Sequence, residues 1–310
     1  MEFKDIEYAL AVAKYHSITK AADSLYITQP TLSTYLKNME KRLGIVLFNR
    51  DGNKFTLSYE GELFIEEGKK ILAERDNLMN RMLDSLQCQR GRLKIAIPLL
   101  RGSYLIPMIL PKFHEKYPNV EIFLTEGSSP ELEKHVREGL CDLVIYNKPS
   151  HELPFPYESL HKEEMLLVMN KKNPLAKKGK KIPGLSHLWM DLSLCQGEPF
   201  IMHLPSQHTG QIERDLLKKS GVKPHVVLET KNLEASYHLA ANGYGLTFIS
   251  ECHTAHIVQE KNAVFFSVGS PRTEMELIAG YLNRDALSNA ARDFIEISKT
   301  IFQEESLTLL

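Results

Sequence analysis

Apolar and polar positions along most of the first 90 residues keep a helical period. Phe3 to Tyr15 carries Phe3, Ile6, Tyr8, Leu10 and Val12 among its apolar residues, which predicts a first helix. Ser17 is placed to cap a second, about Thr19 to Leu25, where Ala21 and Ala22 leave room for a close crossing. Thr28 is a good N-cap for a third, and Pro30 falls in its first turn, where a missing N–H costs nothing. Leu32, Leu36, Met39 and Leu43 then form one buried stripe, and Gly44 suits the residue that ends the helix at Leu43. Gln29, Thr31, Ser33, Thr34 and Lys37 point elsewhere. A helix that buries one face and offers an amide, hydroxyls and a lysine at its start suits a major groove. The bland alternative is a plain surface helix in a helical subdomain. Short extended runs follow, Ile45 to Phe48 and Phe55 to Leu57, around an Asp51-Gly52 turn signal, and predict a small β-wing.

Ser58 is placed to cap a long helix reaching about Gln89, with Glu60 and Glu62 in the first turn, where acids suit the helix dipole. Ile65, Leu72, Met79 and Leu86 repeat every seven residues beside Phe64, Ile71, Leu78, Met82 and Leu83. That seam argues for pairing with a second copy, against the alternative of packing on its own chain. From Arg92 onward short strands alternate with helices: Leu93–Ile97, Tyr104–Tyr117, Val120–Glu126, Glu131–Glu138, Leu143–Tyr146. The βαβαβ order predicts a parallel sheet covered by helices. A second set follows: strands at Met165–Met169 and Phe200–His203, a helix at Thr209–Ser220, a strand at Val226–Glu229, a helix at Asn232–Ala241, and a strand at Leu246–Ile249. Strands at Val264–Val268 and Glu276–Tyr281 and a closing helix at Asp285–Gln303 complete it. Two such units, joined by chain that crosses more than once, predict a hinged pair with a cleft between them.

The whole chain has 310 residues, 43% hydrophobic and 25% charged, more than one ordinary core accommodates. No apolar run approaches the roughly 20 residues that span a bilayer, and the N-terminus lacks the order of a secretory signal; both point to the cytoplasm. The formal net charge of −1 is unevenly spread: Lys14 to Lys54 holds seven basic residues and three acids. A basic segment on an otherwise acidic chain is a partner signal. Cys88, Cys141, Cys195 and Cys252 are far apart and read as reduced thiols, with a redox sensor as the alternative.

Candidate chemistry falls at two places. At the third helix, Lys37 with the wing residues Arg50 and Lys54 supplies phosphate attraction. Gln29 suits an adenine edge, the methyls of Thr31 or Thr34 suit a thymine methyl, and Ser33 suits a phosphate. One half-site per helix, doubled in a dimer, predicts an interrupted inverted repeat. In the cleft, strand ends ahead of helices offer backbone N–H groups to a ligand. Leu100, Arg101 and Ser103 mark the first such loop, Ser128 the second, Gln207, His208 and Thr209 the third, and Phe248 lies near the late strand. Arg101 suggests an anionic effector. The serines and Thr209 equally suit ordinary caps. Cys252-His253-x-x-His256 and the His203/His208 pair invite a metal, but neither has the spacing of a zinc pattern, so no metal and no cofactor are expected. No GxSxG, P-loop or paired-carboxylate signature marks an enzyme.

The residues AADSLYITQPTLSTYLKNMEKRLGIVLFNR resemble the winged helix-turn-helix of the LysR-type transcriptional regulators. Leu57-Ser58 looks like the start of that family's linker helix. GRLKIAIPLL, LPKFHEKYPNVEIFLTEG, REGLCDLVIY and ANGYGLTFIS are similar to segments of its effector domain. The resemblance implies a winged helix-turn-helix over residues 1–58, a linker and dimerisation helix over 59–90, and a two-lobed, periplasmic-binding-protein-like α/β domain over 91–310. Lobe I would take about 91–163 and 268–310, and lobe II about 164–267. It further implies a ligand-responsive regulator of promoter DNA, usually a homotetramer built as a dimer of dimers. Gln29, Pro30, Thr31, Ser33, Thr34 and Lys37 fall in its recognition helix and Arg50 in its wing. Thr34 stands where many relatives have Arg or Gln. The other reading is a solute-binding module or an enzyme carrying a helical extension.

Overall fold

The computed structural model describes residues 1–51, 54–85 and 90–308. The chain divides into two compact units, Met1–Cys88 with Glu138–Leu140, and Gln89–Arg137 with Cys141–Leu310. The first opens with α1 (Phe3–Tyr15), α2 (Ile18–Ser24) and α3 (Gln29–Leu43). Each start is satisfied locally. The Ser17 hydroxyl accepts from Lys20 N–H at 3.4 Å, and the Thr28 hydroxyl accepts from Thr31 N–H at 3.4 Å. Gly44 ends α3 at φ +70°, in the left-handed region that glycine enters at no steric cost. The apolar stripes meet in one core of Ala9, Val12, Ile18, Ala21, Leu32, Leu36 and Met39.

Polar ties fix the angles between these helices. Asp5 is fully buried in α1; its carboxylate accepts from the Tyr35 hydroxyl at 2.8 Å and from Arg42 at 2.5 Å, both on α3. The Glu40 carboxylate accepts from Leu47 and Phe48 N–H at 2.8 and 3.1 Å, which aims the wing hairpin. That hairpin pairs β1 (Phe48–Asp51) with β2 (Lys54–Leu57), Arg50 opposite Phe55. Gly52 and Asn53, at its expected turn, lie outside the described residues.

The Ser58 hydroxyl accepts from Gly61 N–H at 2.9 Å and so caps α4 (Tyr59–Ser85, 27 residues). A Cβ on Gly61 would stand 2.1 Å from the Leu47 carbonyl oxygen, and one on Gly68 would stand 2.6 Å from the Ile6 side chain. The two glycines let α4 lie directly on the helical core. Farther along α4 the apolar residues Ile71, Leu78 and Met79 are exposed. Leu86, the last residue of the expected seam, and Cys88 lie outside the described residues.

In the second unit β3 (Arg90–Ile97), α5 (Leu99–Lys116), β4 (Asn119–Glu126), α6 (Ser129–Arg137) and β5 (Leu143–Asn147) form the expected parallel βαβαβ. The sheet as a whole is mixed rather than parallel. The next strand, β6 (Tyr157–Asn170), is 14 residues long. Its first half, Tyr157–Glu164, pairs antiparallel with the late strand β12 (Glu274–Gly280), which also closes against β5.

From Met165 onward β6 changes partners, pairing with β10 (Thr247–Ser250) and β11 (Ala263–Ser267). Between β6 and β10 the chain supplies β7 (Leu188–Trp189), β8 (Pro199–His203), α7 (His208–Lys219), β9 (His225–Thr230) and α8 (Leu233–Ala241); α9 (Glu251–Thr254) follows β10 and α10 (Asn289–Thr308) ends the unit. β8 and β9 are parallel, and β8 reaches β10 through a Phe200–Leu246 bridge. Separate apolar cores result. Leu93, Ile95, Leu105, Ile109 and Phe294 fill one, and Met169, Phe200, Phe248 and Phe266 fill another.

Candidate nucleic-acid interface and interlobe site

The outer face of α3 is assembled by what the helix buries. With Leu32, Leu36 and Met39 at 0–1% exposure, the 3.6-residue period turns Gln29, Pro30, Thr31, Thr34 and Lys37 outward; all five are exposed and Ser33 is half-buried. Thr31 is partly engaged, its hydroxyl 2.8 Å from that of Thr28. This presents a short row of neutral hydrogen-bonding groups and methyls at the helix N-terminus, followed one turn on by a cation. Arg50 and Lys54 stand on the wing strands, and their side chains lie outside the described residues.

In the second unit, the elements that change partners enclose a polar network. Arg101 on α5 is buried and donates to Glu163 on β6 at 2.6 Å, to the Tyr104 hydroxyl at 2.5 Å, and to the Asn147 side chain. Asn147 in turn donates to Glu163 at 2.7 Å. Burial opposes ionisation of Glu163, but the Arg101 guanidinium and the Asn147 amide outweigh it and hold its carboxyl well below the usual range. Tyr104 packs edge-on to His253 at 5.0 Å and stacks on His256 at 4.6 Å. Burial, then the positive field of Arg101, pushes His253 down to about 3 and His208 down to about 4, so both rings are neutral. Nearby His203 is fully buried, bonded to Glu213 and, at 2.9 Å, to the Ser236 hydroxyl.

Beside His208 a cavity of about 670 Å³ opens, a size that holds a small molecule. Its lining includes Lys148, Ser150, Asp191, His208, Lys219 and Arg272. Among the described residues no group of three or more His, Cys, Asp or Glu side chains is disposed to hold a metal ion.

The family described as "Bacterial regulatory helix-turn-helix protein, lysR family" matches residues 3–62, and "LysR substrate binding domain" matches residues 87–303. The chain belongs to the LysR family. It is 30% identical over 308 residues to the uncharacterized HTH-type transcriptional regulator YcgK of Bacillus subtilis, covering 96% of this chain and 94% of that protein. It is 26% identical to the transcriptional activator CmpR of Synechocystis over 79% of this chain and 77% of CmpR. Full-length OxyR of Pseudomonas aeruginosa, in a variant with one cysteine replaced by aspartate, superposes with a TM-score of 0.71 at 20% identity, covering 98% of this chain and 95% of that one. CbnR in complex with its target DNA superposes with a TM-score of 0.65 at 18% identity, covering 97% and 100%. As a member of this family the protein is a DNA-binding transcriptional regulator with an effector-binding domain, and not an enzyme.

Against that family background, several residues expected in the effector site have other duties. Phe248 is fully buried and stacks on Phe200 in a core, so it lines no open surface. Arg101 is neither solvated nor free to take a carboxylate, because Glu163 already holds it. The expected loop from Leu99 to Ser103 is the first turn of α5, begun at Pro98 by Gly102 N–H bonding to the Pro98 carbonyl at 2.9 Å. Ser103 is exposed and bonds back to the Leu100 carbonyl at 2.8 Å, while Leu100 packs on the core around Leu166 and Tyr237. Ser128 is tied to Glu131 through both its N–H and its hydroxyl, at 2.8 and 2.7 Å, closing the start of α6. Gln207 and Thr209 flank the start of α7, where the Gln207 amide donates to the Lys231 carbonyl at 3.0 Å. Of the expected set, His208 alone lines the cavity. Sequence reasoning missed Asn147 and Glu163; two adjacent acids, Glu163 and Glu164, leading into the apolar run Met165–Met169 mark Glu163 as unusual, but nothing local marks Asn147.

Among the described residues no helix is long and apolar enough to cross a membrane.

Proposed function

We propose that two copies of α3 read an interrupted inverted repeat in promoter DNA, presented by a dimer paired along α4, and that a small polar effector seated in the cavity beside His208 biases the regulator between two conformations. The polar outer face of α3, set on a fully buried stripe, carries the DNA half of this reading. Gln29 contacts a base edge, Thr31 and Thr34 contribute methyl contacts, Pro30 shapes the first turn, and Ser33, Lys37, Arg50 and Lys54 serve the phosphates. The α4 dimer rests on the exposed row Ile71, Leu78 and Met79; pairing of two such dimers would give the homotetramer.

The effector half rests on the cavity and its mixed lining. Cations at Lys148, Lys219 and Arg272 are balanced by acids at Asp191, Asp215, Glu274 and Glu276, which favours a polar ligand of low net charge over the anion first expected. An effector acts only through a difference in its affinity for the two conformations. The test is sequencing of the genomic fragments that the purified protein retains, with and without candidate metabolites. The expected result is a shared inverted repeat whose occupancy changes with at least one polar metabolite. Retention of fragments without a common repeat would refute the reading.

A further inference from the structure

Tyr26 stands between α2 and α3 with φ +55°, a left-handed conformation rare for an aromatic residue. It is 96% exposed, more than any other large apolar side chain among the described residues. Its backbone is used: Tyr26 N–H donates to the Asp23 carbonyl at 3.2 Å, and the next N–H, of Ile27, returns to Ala22 at 3.1 Å. Leu25 and Ile27 on either side pack against the helical core. The ring itself makes no hydrogen bond, ion pair or ring contact with another described residue. Folding therefore needs the turn and not the phenol, and glycine or asparagine would make the turn at lower cost. The side chain is held outward two residues before Thr28, the cap of α3. With α3 in a major groove, the chain entering the helix meets the lip of that groove, where phosphates lie.

We propose that Tyr26 is a DNA-backbone contact, its hydroxyl donating to a phosphate oxygen beside the half-site that α3 reads. The contact fixes the depth and register of α3 and carries no base preference of its own. It rests on α3 entering the groove.

The test uses full-length Tyr26→Phe, Tyr26→Asn and Gln29→Ala proteins, titrated by fluorescence anisotropy. The titrations use a duplex retained by the wild type and a scrambled duplex of equal length, at several salt concentrations. Both Tyr26 variants are expected to bind the two duplexes about three- to tenfold more weakly and to keep the ratio between them, as loss of one hydrogen bond predicts. The slope of log K against log salt stays unchanged, because a neutral phenol displaces no counterion. Tyr26→Asn, which suits the turn, keeps or raises the thermal midpoint, so weaker binding is not unfolding. Wild-type affinity in Tyr26→Phe alongside a weakened Gln29→Ala overturns the Tyr26 contact alone. Silence of all three variants overturns the placement of α3 as well. A changed ratio between the duplexes would move the ring onto the bases, and lost self-association with intact DNA affinity would assign it to a protein contact; either result overturns the proposal.

Discussion

On the function proposed above, individual side chains on α3 divide by the kind of DNA group each meets, and the division is measurable. Lys37→Ala removes one phosphate cation, so binding should weaken on all sequences alike and the salt slope should fall by about 1. Gln29→Ala removes a base-edge contact, so discrimination at one position should fall by about 1–3 kcal/mol while the salt slope holds. Competition binding against a panel of single-base variants separates the two. Identical profiles for both mutants would contradict the assignment.

In the second unit, buried side chains that resemble site residues in the sequence should behave as structure. Phe248→Ala should cost about 3–5 kcal/mol of unfolding free energy, as large cavities in cores do, without selectively weakening a ligand. The thiols make a related case. Burial pushes Cys141 and Cys195 up to about 12 and pushes Cys252 up as well, which leaves little thiolate at neutral pH. Labelling of these three by an aromatic disulfide at pH 7.5 should be slow in the native protein and rapid in denaturant; fast native labelling of any of them, resolved by peptide mapping, would revive the redox-sensor reading.

At the level of elements, α4 gives the sharpest expectation. Leu78 and Met79 are 57% and 52% exposed on a helix far too long for its contacts with the helical core. Leu78→Glu should shift sedimentation toward smaller species and leave the helical content of the chain nearly unchanged, whereas an unaltered assembly would place the interface elsewhere. Elements were legible in the sequence where the deciding interactions are local. The Thr28 cap, Pro30 and Gly44 delimit α3 within a span of 17 residues, and the structure puts its ends at Gln29 and Leu43. By contrast α5 begins at Leu99, five residues before Tyr104, and runs through Pro107 and Pro111. Gly102 and the prolines are helix breakers by local preference, and burial of Arg101, Leu105 and Ile109 against the sheet overrides them. The first half of β6 is rich in His, Lys and Glu, so its strand character emerges only when β12, more than a hundred residues on, supplies its ladder. The two sites divide along the same line. The outer face of α3 follows from helical periodicity, and so does the Arg101–Tyr104 contact three residues apart, whereas Asn147 and Glu163 lie 46 and 62 residues from Arg101 in sequence and no spacing rule reaches them.

For the molecule as a whole, the Arg101–Glu163 pair sits where the two lobes exchange strands: Glu163 is two residues before Met165, at which β6 leaves β12 for β10. Removing one partner leaves a buried charge uncompensated. Arg101→Met should therefore cost about 3–5 kcal/mol, while Arg101→Met with Glu163→Leu should recover most of it. Buried titratable groups in and outside this network shape the acid response. His187, His208 and His253 are lowered from their ordinary value, in each case by burial first, so the unfolded chain takes up protons at these sites as pH falls below 6.5 while the native protein does not. Stability consequently declines on the acid side of that point. Glu163 acts in the same direction at lower pH: its stabilising charge is fully present above the unfolded value near 4.5 and is lost as pH falls from there toward the native value. Thermal midpoints should fall from pH 7 to 5.5 and more steeply below 4.5. A His208→Gln, His253→Gln double variant should flatten the first part of that curve and leave the second in place. A wild-type midpoint constant between pH 7 and 5 would mean that these rings are solvated and protonatable in the native state. In that case the buried network would be open to water, and the cavity beside His208 would be part of a wider cleft.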